Sequence, residues 1–292
     1  MKLLVFGKNG QLASELQLIL NSIKEKKFLS STEANFLNVD SIVKNIRDFN
    51  PTCIINAAAY TAVDKAESEE PTAKQINALA VGVIAEEAKK LNSHLIHYST
   101  DYVFDGSKAQ PYSESDRPNP INAYGKSKLE GEQLIINSGV SHVILRVSWI
   151  YGNHGHNFYK TMLRLGAEKE ELKIVSDQIG CPTWSKSIAK ATAIILNDQQ
   201  LLEKSGIYNY ADEGVTSWYG FAEEIFNQYR LLKPNSFTNL KKIIPIHSNE
   251  YKTAAARPLN SRLNCGKIKN TFNVEMSDWK ASLQSALKEN LN

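Results

Sequence analysis

The sequence predicts an α/β protein: a doubly wound parallel sheet with a smaller lobe set over the ends of its strands. Three observations predict it. Short continuous apolar runs alternate with amphipathic helical stripes through the first half of the chain. The first run passes directly into a glycine turn that opens a helix. Later segments keep the alternation in a looser form, as expected of a second lobe assembled on a first.

Taken in order, Leu3 to Phe6 reads as a buried strand. Leu12, Leu16, Ile19, Leu20 and Ile23 then share one helical face. Phe28-Leu29 is a short second strand, and Val39, Ile42, Val43 and Ile46 form another helical stripe. Cys53 to Ile55 is the third strand, followed by a helix marked by Ile76, Leu79, Ala80, Val83 and Ile84. His94 to Tyr98 and His142 to Val147 are the fourth and fifth strands. Beyond them, helices are expected over Phe158 to Leu165, Ser187 to Leu196, Ser217 to Tyr229 and Asp278 to Lys288, the last capped by Ser277. Weak strands fall at Lys173 to Val175, Ile207 to Asn209 and Ile243-Ile244. There is no internal repeat and no linker of distinctive composition.

Composition removes several classes of function. At 292 residues, with 42% hydrophobic and 22% charged residues, the chain can bury a large core. A net charge of +3 without a basic block argues against nucleic-acid binding. Cys53, Cys181 and Cys265 are far apart and lack CxxC spacing, which argues for a reducing compartment and against a zinc site. The apolar run after Met1 is too short for a signal peptide, and no stretch approaches the ~20 residues of a membrane span. The expectation is a soluble, cytoplasmic protein.

The motifs point to a nucleotide cofactor. Gly7, Gly10 and Ala13 give G-x-x-G-x-x-A between strand and helix. The first glycine permits a tight turn, the second lets backbone approach a pyrophosphate, and the small third residue lets helix pack on strand. At the end of strand three, "NAAAYT" (Asn56 to Thr61) offers a flat surface where open α/β sheets bind ligands. A carboxylate that would bond the adenine ribose and select NADH is missing from Ser30-Ser31-Thr32, with no acid before Glu33. That leans the choice towards NADPH and leaves NADH open. Residues 1–150 are therefore read as a dinucleotide-binding domain. Residues 151–292 are read mainly as a substrate-binding lobe, with some segments returning to the first domain.

"YGKSK" places Tyr124 one helical turn ahead of Lys128, after a strand that ends in Ser99-Thr100. A phenol of pKa ~10 is a weak acid at neutral pH, and a neighbouring cation brings it towards a useful range. The Thr100 hydroxyl can hold the same carbonyl oxygen. His154 and His156 flank Gly155 in a polar loop, and two histidines fall short of a metal site.

These blocks, with "HYSTDYVFDG", "RVSWIYG", "DQIGCPT" and "ARPLNSRLN", resemble the dTDP-4-dehydrorhamnose reductase family of extended short-chain dehydrogenase/reductases over nearly the whole chain. The resemblance implies a Rossmann-type sheet and reduction of the C4 ketone of dTDP-4-dehydro-β-L-rhamnose by NADPH or NADH. It makes Thr100, Tyr124 and Lys128 the catalytic trio. It places the cofactor against Gly7, Gly10, Gln11, Leu12, Asn35, Phe36, Ala58, Ala59, Tyr60, Thr61 and Tyr98, as well as Tyr124 and Lys128. Asn35 stands where relatives carry an aspartate. Thr100, Asp101 and Trp149 would touch the sugar, and Arg257 its diphosphate. Some relatives form dimers bridged by magnesium on glutamates. Glu15 matches one such ligand, but Lys186 occupies another ligand position and would repel the ion, so no metal is expected here. Two alternatives stay open: another nucleotide-linked 4-keto-6-deoxysugar as substrate, or a non-catalytic regulatory subunit on the same fold.

Overall fold

Residues 1–291 are described by a computed structural model. In chain order the strands are β1 (Lys2–Phe6), β2 (Glu25–Leu29), β3 (Cys53–Asn56), β4 (His94–Thr100), β5 (His142–Val147), β6 (Ile150–Tyr151), β7 (Glu171–Val175), β8 (Ile179–Gly180), β9 (Thr183–Trp184), β10 (Gly206–Tyr210), β11 (Thr216–Ser217) and β12 (Lys242–Ile246). The helices are α1 (Gln11–Ile19), α2 (Val39–Phe49), α3 (Val63–Ala66), α4 (Glu70–Lys74), α5 (Ala80–Lys90), α6 (Ala123–Ser138), α7 (Phe158–Glu168), α8 (Ser185–Leu196), α9 (Trp218–Leu232), α10 (Gly266–Phe272) and α11 (Trp279–Leu291).

Six strands form one parallel sheet in the order β2-β1-β3-β4-β5-β10. Alternate residues of each strand enter different cores, which is why the strands read as continuous apolar runs. Leu3 and Val5 pack on one face with Leu12 and Leu16 of α1 and Ile188 and Ile195 of α8. Leu4 and Phe6 pack on the other with Ile42 and Ile46 of α2, Ile84 of α5 and Ile135 of α6. The chain leaves β1 towards β2 on one side and returns to β3 on the other, so a crevice opens beyond their carboxyl ends. A separate core joins Tyr159 of α7, Phe221 and Phe226 of α9 and Leu283 of α11, beside the two-stranded pair β7-β12.

Several expectations are corrected in detail. Ile23 lies beyond α1, although it still packs against the first core. Between α4 and α5, Gln75–Leu79 forms a π-helical turn, whose wider winding moves the apolar stripe round by a residue. Leu79 is consequently 42% exposed, while Asn77 and Ala78 are buried. Ser277 does not cap α11. Asp278 does, its carboxylate accepting from the N–H groups of Lys280 and Ala281 at 2.9 and 3.2 Å, while the Ser277 carbonyl accepts from Glu213 N–H. The weak strand at Ile207 to Asn209 is β10, an edge strand of the main sheet paired with β5.

Candidate active site

The crevice beyond β1 and β3 is shaped by glycine. Gly7 has φ +93°, and a β-carbon there would lie 2.7 Å from the backbone of Ala57 and Ala58. Gly10 precedes α1 with no side-chain cap, so the N–H groups of Gln11, Leu12 and Ala13 are left free at the helix N-terminus. This cradle fits a dinucleotide pyrophosphate. Ala58 donates its N–H to Asn56 Oδ1 at 3.1 Å, and Tyr60 donates its N–H to Asn77 Oδ1 at 2.8 Å, fixing the strand-three end next to exposed Ala59 and Thr61.

Asn35 is exposed, and its Oδ1 accepts from Leu37 N–H at 2.9 Å, so it is free to face a nucleoside. Phe36 is buried edge-on against Phe6, with ring centroids 5.5 Å apart, and belongs to the sheet core. The end of β2 does hold a carboxylate. Glu33 folds back to accept from the N–H and hydroxyl of Ser30 at 2.8 and 2.7 Å, bonds that lower its pKa. Lys8 and Lys27 add their charge to the same effect. Tyr98 points its side chain into the core, where its hydroxyl meets Thr192 at 2.7 Å, because strand alternation turns it away from its neighbour His97. Only the Tyr98 carbonyl faces the crevice side, accepting from Lys128 Nζ at 2.6 Å.

Helix α6 carries Tyr124 and Lys128. Asn122 caps it by accepting from Gly125 N–H at 2.7 Å. Glycine at 125 and 131 lets the helix press against its neighbours. A β-carbon at either would stand 2.2 Å from a carbonyl oxygen, that of Tyr102 or of Asn77. Lys128 is thereby buried, 2% exposed, and is no surface partner of Tyr124. Burial lowers its pKa to about 8 against a raising influence of Glu132. Tyr124 packs edge-on against Tyr102 at 5.7 Å. Burial pushes its phenol up to about 12, opposed by a hydrogen bond with Thr100 and reinforced by Asp101. The expected lowering of the phenol by Lys128 is therefore absent from the cofactor-free chain, where desolvation prevails.

Asp101 follows Thr100, whose hydroxyl donates to it at 3.1 Å. Burial raises its carboxyl to about 7, against the nearby Ser261 and Thr100 hydroxyls, and its Oδ2 has no partner. Trp149 has φ +46°, a strained conformation for so bulky a residue. Its ring fills the space above Gly180 and stacks on Trp218 at 3.6 Å and 11°.

Beside these groups lies a cleft of about 870 Å³, lined among others by Phe158, Lys173, Trp218, Lys252 and Arg257. It does not include Tyr124, but Trp218 leads from it to Trp149, and Asn122 binds its wall through the Ala256 carbonyl at 2.8 Å. Arg257 is held by Asp64 of α3 at 2.7 Å, and the same carboxylate accepts from Ala255 N–H. No motif announced the lining residues before Arg257, nor Asn56 and His97, which are linked at 3.1 Å with His97 3.2 Å from Lys128 Nζ. His97, the one polar residue in the middle of "HLIHY", was the available signal for that pair.

Elsewhere, Glu15 is 2% exposed with an unpartnered Oε2, its pKa raised by burial and lowered by nearby Lys186. Lys186 itself pairs with Glu289 at 2.6 Å. His154 and His156 are exposed.

A dinucleotide cradle at the strand ends, adjoining a buried amine and a phenol, is the equipment of a nicotinamide-dependent reductase acting on a carbonyl. The family described as RmlD substrate binding domain matches residues 1–292. The chain belongs to this family, that of the dTDP-4-dehydrorhamnose reductases. It is 40% identical to the dTDP-4-dehydrorhamnose reductase of Burkholderia thailandensis over the full length of both chains. A dTDP-4-dehydrorhamnose reductase structure from Clostridium acetobutylicum superposes with a TM-score of 0.92 at 34% identity, covering 100% of both chains. One from Bacillus anthracis, in complex with NADP, gives 0.89 at 34%, covering 99% of this chain and 100% of that one.

Proposed function

We propose that the chain reduces the C4 ketone of dTDP-4-dehydro-β-L-rhamnose to dTDP-L-rhamnose with NADPH, using Thr100, Tyr124 and Lys128. The observation that carries the residue assignment is the burial of Lys128 one turn behind Tyr124, at the end of the strand that presents Thr100. NADPH, bound along Gly7, Gly10 and the first turn of α1, supplies the hydride that forms the C4–H bond. Tyr124 gives its phenolic proton to the carbonyl oxygen, and Thr100 fixes that oxygen by a hydrogen bond. Lys128 in its charged form stabilises the phenolate left behind. Asp101 and Trp149 contact the sugar.

The cleft suits the rest of the substrate. Phe158 and Trp218 offer aromatic faces to a flat base, and Lys173, Lys252 and Arg257 offer charge to a diphosphate. Residues 1–150 then act mainly on the cofactor and residues 151–292 mainly on the nucleotide sugar. Lys186 already places a cation beside Glu15, which argues against a bridging metal at that position. The buried thiols of Cys53 and Cys181 suit the reducing cytoplasm.

The test is product analysis by NMR after incubation with enzymatically made dTDP-4-dehydrorhamnose and NADPH. Formation of dTDP-L-rhamnose is expected. Formation of the C4 epimer, or NADPH oxidation only with a different 4-keto sugar, would assign another substrate.

A further inference from the structure

Behind Lys128 lies a buried polar chain that the reduction itself does not require. Asn56 Nδ2 meets His97 Nδ1 at 3.1 Å, and His97 Nε2 meets Lys128 Nζ at 3.2 Å. Asn56, His97 and Lys128 are 1%, 0% and 2% exposed, so water supplies no alternative partners.

The direction of this chain is set at its far end. Ala58 donates its backbone N–H to Asn56 Oδ1 at 3.1 Å, and a backbone amide can only donate. The Asn56 side chain is therefore oriented with its NH₂ group towards the imidazole. That group is a donor, so His97 Nδ1 must accept and carries no proton. A neutral imidazole then bears its proton on Nε2, the nitrogen facing Lys128. Imidazolium would set an N–H against the Asn56 NH₂, and burial strongly disfavours it. An N–H donor facing Nζ needs a lone pair there. An ammonium has none, whereas an amine accepts from His97 and still donates to the Tyr98 carbonyl at 2.6 Å.

We propose that Asn56 and His97 are positioning residues that set the protonation of Lys128, biasing Nζ towards the neutral amine. The inference rests on the catalytic reading of Tyr124 and Lys128 and extends it. The other groups around Lys128 do not cancel this bias. Glu132, on α6, favours the ammonium, but its carboxylate is shared with Arg146 of β5 at 2.9 and 2.6 Å. Tyr124 is neutral when its phenol is raised, and Asp101 acts on Tyr124 beyond β4. On the elements packed against α6, Asp64 pairs with Arg257, Glu67 accepts from Ala123 N–H and Lys74 pairs with Glu130. Asn77 on the π turn is uncharged and donates to Ser127. Burial acts in the same direction as the His97 donor.

The consequence is that Lys128 holds the charge that stabilises the Tyr124 phenolate less firmly in the free enzyme, and an anionic cofactor entering beside it would strengthen that charge. A dry pocket disfavours the ammonium in the same direction.

The experiment is nitrogen NMR on the full-length, cofactor-free protein labelled with ¹⁵N at histidine and lysine, with His97→Gln to assign the imidazole signal. A protonated Nε2 and an unprotonated Nδ1 are expected at His97. Asn56→Asp keeps the acceptor for Ala58 but replaces the donor by a second acceptor. It is expected to move the proton to Nδ1 and to raise the Lys128 midpoint by ~1 pH unit or more. A proton on Nδ1 in the unsubstituted protein overturns the proposal, whether or not the variant folds. So does a Lys128 midpoint unmoved in a folded Asn56→Asp. Lys128→Met, assayed for turnover, tests the underlying reading separately. Full activity there removes Lys128 from catalysis without touching the tautomer result.

Discussion

Tyr124 is the residue on which the proposed chemistry depends most directly. Tyr124→Phe is expected to keep fold and cofactor binding while lowering kcat by ~10²–10⁴, the usual worth of a general acid. Steady-state assay of the purified variant checks it, and retention of more than about a tenth of turnover would remove the assignment. Asp101 gives a stability prediction with a definite sign. Its folded pKa of about 7 lies above the usual carboxylate value, so the folded chain holds a proton that the unfolded chain has lost. Its cost is absent in acid, grows as pH rises towards 7 and is constant above. Asp101→Asn is thus expected to gain more stability at pH 8 than at pH 5, by roughly 2–3 kcal/mol. Denaturant unfolding at the two pH values measures the difference, and equal gains contradict it. Glu33→Gln removes the carboxylate that sits at the end of β2 and should raise the kcat/KM preference for NADPH over NADH by roughly threefold, a small effect because the site is solvated. An unchanged ratio places cofactor choice elsewhere. Thr100, Tyr124 and Lys128 could be found in the sequence because strand end and helix start announce themselves. His97 and Asn56 could not be given roles, since a polar residue in an apolar strand looks the same whether it is a satisfied core group or a partner of the site.

At the scale of elements, α6 is held by contact on one side and charge on the other. Gly125→Ala would force a β-carbon against the Tyr102 carbonyl and shift Tyr124. A loss of ~1–3 kcal/mol in stability is expected, with a larger proportional loss in turnover, read from denaturant midpoints and kcat. Wild-type turnover would show that the close approach does not position the phenol. Glu132 and Arg146 form a bidentate pair, 1% and 2% exposed. "HVILRV" reads as a strand, and nothing local in it links the arginine to a glutamate on the preceding helix. The same limit applies to the π turn at Gln75–Leu79. Its extra residue is set by the approach of α6 through Gly131 to the Asn77 carbonyl, a tertiary contact invisible to helical periodicity. Helix ends depend on single side-chain choices, and at α11 the cap expected at Ser277 is made one residue later by Asp278.

For the molecule as a whole, the late return of the chain matters more than the division at residue 150. β10 supplies the sheet edge beside β5, and α8 covers the face that α1 shares. A fragment of residues 1–150 is therefore expected to keep helical signal in the far ultraviolet but lose the near-ultraviolet signal of fixed aromatics and bind hydrophobic dyes. A sharp cooperative unfolding transition of the fragment would show that the first half is self-sufficient. The stacked indoles of Trp149 and Trp218 stand beside the cleft, with Trp218 lining it and packing on the second core. At 3.6 Å and nearly parallel, they are close enough to share an excited state, so the protein carries its own optical gauge of cleft geometry. A nucleotide sugar that slides one ring over the other will alter the paired circular-dichroism bands of the stack before any hydride moves. Mixing with substrate alone can thus be followed by light from the enzyme itself, independently of the nicotinamide absorbance.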